Sequence, residues 1–448
     1  MSEKHLSLPE TVKTEARPSP VNHVFAFFLL GGVLFAAFSG KMQAVTDASF
    51  EAGKAAVNLA LGLVGIMALW LGLVRVLEAG GLLRQLADLI QPLMRRLFPD
   101  VPAEHPAMSA MMLNMSANML GLGNAATPMG IRAMVELNRL NPFPGTATNA
   151  MCLFLAINTS SVTILPLGVI GVRAAAGAAN PASIFLPTLL ATIISSVVAI
   201  ISCFLLAPKN GAGPAESQEN EFSEALLVGD DHSRLAGSAS AGGRRLAVAV
   251  IIVFFVALLR ELFWGSKPAL DFLLNEFLSH WLLAFLMLSI VSYGLYRGVK
   301  LYEAVTDGAK QAFEIAVKII PNLVAILVVI AMFRASGAME ALASVLEPVT
   351  GWIFLPPDVL PLALVRPLSG SGAFGIMSSI VQNAPDSYES FLASIMMGST
   401  ETTFYVIAIY FGAIGVNNIR HTLIAALCAD VAGIVSSCLL AKVFWSFV

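Results

Sequence analysis

The chain has 448 residues, 57% of them hydrophobic and only 12% charged, with 26 Lys and Arg against 29 Asp and Glu for a net charge of −3. Soluble globular chains carry about 25% charged residues, so this one cannot clothe a water-facing surface, and its mean hydropathy of +0.79 points the same way. Soluble enzymes and secreted disulfide-bonded domains are effectively excluded, and a charge balance this even offers no footprint for nucleic acid. The expected class is an all-α polytopic membrane protein.

In chain order, residues 1–20 are polar and contain Pro9, Pro18 and Pro20, which predicts a disordered tail. The apolar run 21–38 is long for a signal-peptide core and follows a long segment of mixed charge, so it reads as an uncleaved first helix. Further runs able to cross about 30 Å of hydrocarbon lie at 57–74, 184–207, 246–259, 277–296, 319–333 and 423–441. Between them, 107–128, 146–166, 360–380 and 391–416 are apolar but broken by Gly, Pro, Asn, Ser and Thr. Such stretches predict broken or re-entrant helices, which membranes tolerate only where protein or a water-filled cavity covers the backbone. About 10–12 membrane elements are expected. Residues 208–243 are rich in Gly, Ser, Ala and acids and read as an aqueous linker between domains at 21–207 and 244–448. Cys152, Cys203, Cys428 and Cys438 lack C-x-x-C spacing and read as small buried residues.

The two domains look like a duplication. At one offset Lys54 matches Lys310, Gly81 matches Gly337, Pro92 matches Pro348 and Phe98 matches Phe354. Further on, Gly130-Ile131 resembles Gly375-Ile376, and Asn158-Thr159-Ser160-Ser161 resembles Ser399-Thr400-Glu401-Thr402. Charge suggests that the copies are inverted. Arg75, Arg84, Arg95 and Arg96 follow the run 57–74, with only Lys41 and Lys54 before it. Arg297, Lys300, Lys310 and Lys318 instead precede the run 319–333, and Arg334 alone follows it closely. The positive-inside rule then puts the N-terminus and linker in the cytoplasm and the C-terminus outside.

Longer strings carry a resemblance. NMSANMLGLGNAATPMG at 114–130 and NAMCLFLAINTSSV at 149–162 resemble spore maturation protein A. RPLSGSGAFG at 366–375 and GSTETTFYV at 398–406 resemble spore maturation protein B. The likeness covers nearly everything but tail and linker, as in a fusion of two proteins usually made separately. Each half also resembles the nucleoside-recognition, or gate, domain of concentrative nucleoside transporters and of the membrane part of ferrous iron permeases. The resemblance implies a bacterial inner-membrane protein acting as a small-solute transporter or permease. A role in spore maturation is not carried over from it, and the motifs do not settle the solute.

The residues themselves point to a site. Ser399 suits the N-cap of a helix whose first turn holds Glu401, and the stretch 158–161 would open the run 162–165 in the same way. Two half-helices starting inside the membrane would aim free N–H groups at a shared site, although a capped helix at the water interface reads the same. In Arg366-Pro367-Leu368-Ser369-Gly370-Ser371-Gly372 the small residues allow a tight turn, and Arg366 needs a cavity or an acid, for which Glu401 is the candidate; a structural pair or snorkelling are the alternatives. Asn114, Ser116, Asn118 and Asn124 offer neutral amides and hydroxyls in the first half, or close helix packing. The expected solute contacts are Asn114, Ser116, Asn118, Asn124, Asn158, Thr159, Arg366, Ser369, Ser371, Thr400 and Glu401. Asp430, inside an apolar run, is a candidate with Glu401 for coupling to a proton or sodium ion, or a buried structural acid. His280 and His421 read as interfacial, and Trp264, Trp281, Trp352 and Trp445 as interfacial anchors.

No nucleotide-binding G-x-x-x-x-G-K-[ST], H-E-x-x-H or G-x-S-x-G string occurs. The expectation is therefore a secondary transporter or permease, not an enzyme, with no cofactor and no resident metal. Its expected partners are the bilayer, a small polar or anionic solute, a coupling ion and a second copy of itself. The rival readings are a non-transporting scaffold for envelope or spore assembly and a divalent-cation permease.

Overall fold

Where the sequence runs apolar without interruption, the chain forms long helices. The computed structural model describes residues 20–121, 123–207, 240–265, 272, 277 and 281–447. Residues 1–19 of the expected tail, most of the expected linker and His280 lie outside the described residues. The first half comprises α1 (Pro20–Ser39), α2 (Met42–Ala79), α3 (Leu82–Leu97), α4 (Pro106–Met119), α5 (Gly123–Arg139), α6 (Asn149–Ser160), α7 (Leu167–Ala175) and α8 (Phe185–Leu206). The second comprises α9 (Ala241–Trp264), α10 (Leu282–Arg297), α11 (Leu301–Ser336), α12 (Ala338–Thr350), α13 (Leu360–Val365), α14 (Gly370–Asn383), α15 (Tyr388–Ser399), α16 (Thr403–Gly412) and α17 (Thr422–Phe444). Among the described residues there is no strand, only an isolated bridge between Thr146 and Asn418. Among the described residues, six helical stretches are long and apolar enough to cross a membrane: Met42–Ala79, Pro181–Leu206, Ala241–Trp264, Ile319–Ser336, Tyr388–Gly412 and Thr422–Phe444. The protein is a multi-pass, all-helical membrane protein.

The duplication is visible element by element, α2 to α8 corresponding to α11 to α17. Gly81 and Gly337 both sit at positive φ, 80° and 89°, at the corner where a long helix hands over to a short amphipathic one. Only glycine takes that left-handed conformation at no steric cost, which explains why the sequence repeats it. Pro92 and Pro348 lie inside the paired helices α3 and α12. Phe98 and Phe354 diverge: the first is buried, the second half-exposed at φ 57°.

Helices α2 and α11 form the most extensive helix pair, and they run antiparallel. Arg75 near the end of α2 donates to Asp307 near the start of α11 at 2.9 Å, whereas Gly53 near the start of α2 faces Val328 near the end of α11. Small residues make the approach close. A Cβ on Gly72 would lie 2.7 Å from the Val305 carbonyl oxygen, and Gly308 abuts Leu71 in the same way. In lipid, where apolar burial gives little drive, such backbone proximity is the main source of helix association.

The halves also exchange parts. The helix α7 of the first half packs on α14 and α15 of the second, while α16 of the second packs on α5 and α6 of the first. Val169, Ile170 and Val172 of α7 accordingly share a core with Phe391, Leu392 and Ile395. Val406, Ile407, Tyr410 and Phe411 of α16 share another with Met108, Met111 and Phe154. Of the cysteines, Cys152, Cys203 and Cys438 are buried as expected; Cys428 is exposed, on the outward side of α17. Trp264 and Trp352 are 82% and 87% exposed, as anchors in a lipid interface would be.

Candidate functional site

Among the described residues the chain leaves helix at 120–121, 161–166, 366–369 and 400–402, between α4 and α5, α6 and α7, α13 and α14, and α15 and α16. The interruptions satisfy one another. In the first half Ile164 N–H donates to the Met119 carbonyl at 2.8 Å; in the second, Phe404 N–H donates to the Pro367 carbonyl at 3.1 Å. A third bond crosses the halves, from Glu401 N–H to the Thr159 carbonyl at 2.7 Å. Backbone groups at membrane depth must find partners in the protein, and here broken segments provide them for each other.

The helix ends correct two expectations. Ser399 closes α15 instead of opening α16: its hydroxyl donates to the Met396 carbonyl at 2.9 Å, and Thr402 stands at the N-cap position of α16 without a side-chain cap bond. Likewise, 158–161 closes α6 and opens no helix at 162. Ser161 takes φ 31° and the chain stays irregular up to Pro166, which lacks an N–H and disfavours helix before it; α7 starts only at Leu167. Helix ends also move the repeat register by two residues, setting Ser160 against Ser399. Each of these serines bonds a serine on the next long helix of its half, Ser160 to Ser196 at 2.9 Å and Ser399 to Ser437 at 3.1 Å.

The charged part of the site lies in the second half. Arg366 is 3% exposed, and its Nη1 donates to Thr402 Oγ1 at 3.2 Å. Its Nη2 stands 3.9 Å from Glu401 Oε2, so the expected partnership is an ion pair beyond hydrogen-bond length, with the Glu401 side chain 43% exposed. Arg366 Nε has no partner in the protein. At the next residue, Thr403 Oγ1 donates to Asp430 Oδ2 at 2.7 Å, and Asp430 Oδ1 is likewise unpartnered. Ser369 caps α14 by accepting from Gly372 N–H at 3.1 Å, and a Cβ on Gly370 would lie 2.7 Å from Thr402 Oγ1. The N-termini of α14 and α16 therefore meet beside Arg366, and helix N-termini carry partial positive charge. One guanidinium and two carboxylates make up the ionisable set.

The neutral part belongs to the first half. Asn118 Nδ2 donates to Asn158 Oδ1 at 2.9 Å, and Asn158 Nδ2 to the Phe154 carbonyl at 2.9 Å. Asn114 is fully buried; its Nδ2 donates to the Ala126 carbonyl at 2.7 Å and to the Tyr410 hydroxyl of α16 at 3.2 Å, leaving Oδ1 without a partner. Ser116 and Thr159 bond back to carbonyls of their own helices, Met112 and Ala156, so their hydroxyls serve the backbone. Thr400 is buried against Gly433 of α17. Ser371 is half-buried in the first turn of α14; the side chain of Asn124 lies outside the described residues. Asn118 and Asn158 are bonded to each other, Thr159 next to them is bonded to Glu401, and Glu401 approaches Arg366, whereas Ser369 bonds within α14 and Ser116 within α4.

Four residues escaped the sequence reading. Thr402 and Thr403, inside the Thr-rich string, hold the guanidinium and Asp430 respectively, which their position gave no means to tell apart. Tyr410 joins α16 to Asn114 with no sequence signal at all. Arg173, 1% exposed within apolar α7, carried the same signal as Arg366; it donates to Ser390 at 3.3 Å and lies over the Phe391 ring, tying α7 to α15. His421, just before α17, is 9% exposed, and burial together with Arg420 holds its imidazole below the ordinary value. Among the described residues no three His, Cys, Asp or Glu side chains form a group able to hold a metal ion.

The comparisons with known proteins agree with this architecture. The gate family, described as nucleoside recognition, matches residues 60–176 and 316–417. The matched segments start 256 residues apart, the offset that sets Gly81 against Gly337. The fold and the matches define a multi-pass membrane protein with a gate segment in each half. The chain belongs to the spore maturation protein A and B family, as a fusion of the two. It is 41% identical to spore maturation protein A of Bacillus subtilis (strain 168) over 181 residues, 40% of this chain and 92% of that protein. It is also 41% identical to spore maturation protein B of the same organism over 163 residues, 36% of this chain and 92% of that protein. A crystal structure of the YdaH transporter of Alcanivorax borkumensis aligns over 96% of this chain and 99% of its own, at 14% identity and a TM-score of 0.43, too remote to carry a functional argument.

Proposed function

We propose that the protein is a secondary transporter or permease for a small polar or anionic solute, bound between the two halves where the broken helices meet. The observation that carries this reading is the buried Arg366, with one N–H unpartnered, beside the N-termini of α14 and α16. An intramembrane ionisable residue is expensive, and half-helix N-termini favour a carboxylate, a phosphate or an acceptor-rich ring. The match to a family described as nucleoside recognition adds a nucleoside or related metabolite to the candidates. Asp430 and Glu401 are the candidate coupling groups, for a proton or a sodium ion. The setting is the bacterial inner membrane, with the N-terminus inside and the C-terminus outside.

A thermal-shift screen of the purified protein against nucleosides, small carboxylates and divalent metals tests this, run on wild type and Glu401→Gln. A ligand at 100 times its dissociation constant adds about 2.7 kcal/mol of stability. A hit that the variant loses supports the site. Silence across the panel, with the variant melting well below wild type, overturns it in favour of the scaffold reading, which the names of the two Bacillus relatives favour. A response to divalent metals alone would favour the cation permease.

A further inference from the structure

Helices α3 and α12 occupy equivalent places after the Gly81 and Gly337 corners, and they differ in charge. At 100° per residue the side chains of α3 fall into three sectors. Leu83, Ala87 and Met94 form one and are buried against the protein. Leu89 and Leu93 form a second and are 72% and 56% exposed. Arg84, Asp88, Arg95 and Arg96 form the third and are exposed. The helix α12 repeats the plan, with Ala338 and Met339 buried and Val345 75% exposed. Its exposed polar sector instead carries Glu340 and Glu347, with no basic residue anywhere in the helix.

Because α2 and α11 run antiparallel and each leads straight into its amphipathic helix, α3 and α12 lie on opposite faces of the membrane. A helix with one sector on protein, one leucine sector outward and one charged sector lies in the bilayer interface. We propose that α3 is a docking surface for anionic phospholipid headgroups, held by Arg84, Arg95 and Arg96 over an acyl-facing leucine strip. The acidic helix α12 makes no such contact, so the protein draws anionic lipid into one leaflet only. Charge complementarity selects the occupant: three guanidiniums against one carboxylate favour phosphate-bearing lipid of net negative charge over zwitterionic lipid. The inference stands whichever solute the central site takes.

The test uses the full chain in nanodiscs of phosphatidylcholine with a minor fraction of phosphatidylglycerol. The readout is the ratio of the two lipids retained on the protein after mild delipidation. Wild type enriches phosphatidylglycerol, and each arginine removed weakens the enrichment roughly five-fold. The triple variant Arg84→Gln, Arg95→Gln, Arg96→Gln abolishes it; the control pair Glu340→Gln and Glu347→Gln leaves it intact. If the triple variant does not fold, Arg95→Gln alone and a salt titration of wild type give the same reading, since screening removes a headgroup contact. Equal enrichment in wild type and the arginine variants, or enrichment insensitive to salt, overturns the proposal.

Discussion

The N–H of Glu401 donates to the carbonyl oxygen of Thr159 at 2.7 Å, joining a helix break in one half to the end of a helix in the other. Through this bond the site has no seam. The acid that faces Arg366 is positioned by the backbone of the opposite repeat, so displacing α6 displaces Glu401 with it.

Removing the charges of the Arg366–Glu401 pair separates function from fold. Glu401→Gln keeps the backbone bond and alters a side chain that is 43% exposed, so it shifts stability little while eliminating solute uptake into proteoliposomes. Arg366→Met replaces a 3% exposed guanidinium and strands the Thr402 hydroxyl; it loses uptake and costs about 1–3 kcal/mol. Undiminished uptake in Glu401→Gln would remove that residue from the site.

The Thr403–Asp430 bond gives a test of coupling. Thr403→Val removes the donor to a carboxyl 2% exposed, and costs about 1–3 kcal/mol in a thermal or denaturant melt. In Asp430→Asn, uptake no longer responds to an imposed proton or sodium gradient, whereas exchange of solute across the membrane persists. Gradient-driven accumulation in that variant would return Asp430 to a structural role.

At the antiparallel pair the expectation is mechanical. Gly72→Leu and Gly308→Leu each push α2 from α11, because even a Cβ on Gly72 would lie 2.7 Å from the Val305 carbonyl oxygen. Overpacking of this kind costs about 1–3 kcal/mol per site. Melting midpoints of the single and double variants measure it; two substitutions in one interface combine non-additively. A variant that melts with wild type would mean that the pair yields more readily than its contacts imply.

The proposed membrane orientation can be tested at the helices that follow the same pair. In spheroplasts, a cysteine introduced at Glu347 in α12 reacts with an impermeant maleimide, and one at Arg96 in α3 reacts only after lysis, Cys428 being first replaced by Ser. The opposite pattern would invert the proposed orientation of the whole chain.

The length of the apolar runs and the breaks between them were legible in the sequence, because a span and an interruption are each written in local composition. So was the repeat: Gly81 and Gly337 occupy the same left-handed corner. What local composition could not show was which end of a helix a polar string marks. Ser, Thr and Asn satisfy both ends, so Ser399 and Asn158 looked like starts and proved to be finishes. Long-range partners were also hidden. Tyr410 meets Asn114 because α16 crosses into the first half, a consequence of topology with no trace in either residue's neighbours.

That crossing has a consequence for assembly. The helix α7 packs on α14 and α15 of the second half as well as on α2 of its own, and α16 packs on α5 and α6 of the first half as well as on α17 of its own. Each half therefore contributes a helix to the core of the other. Made as two chains, such halves must find each other by collision, and any excess of one would be left open. On one chain the encounter is unimolecular. Parity of the halves is then a property of translation and no longer depends on the expression level of either.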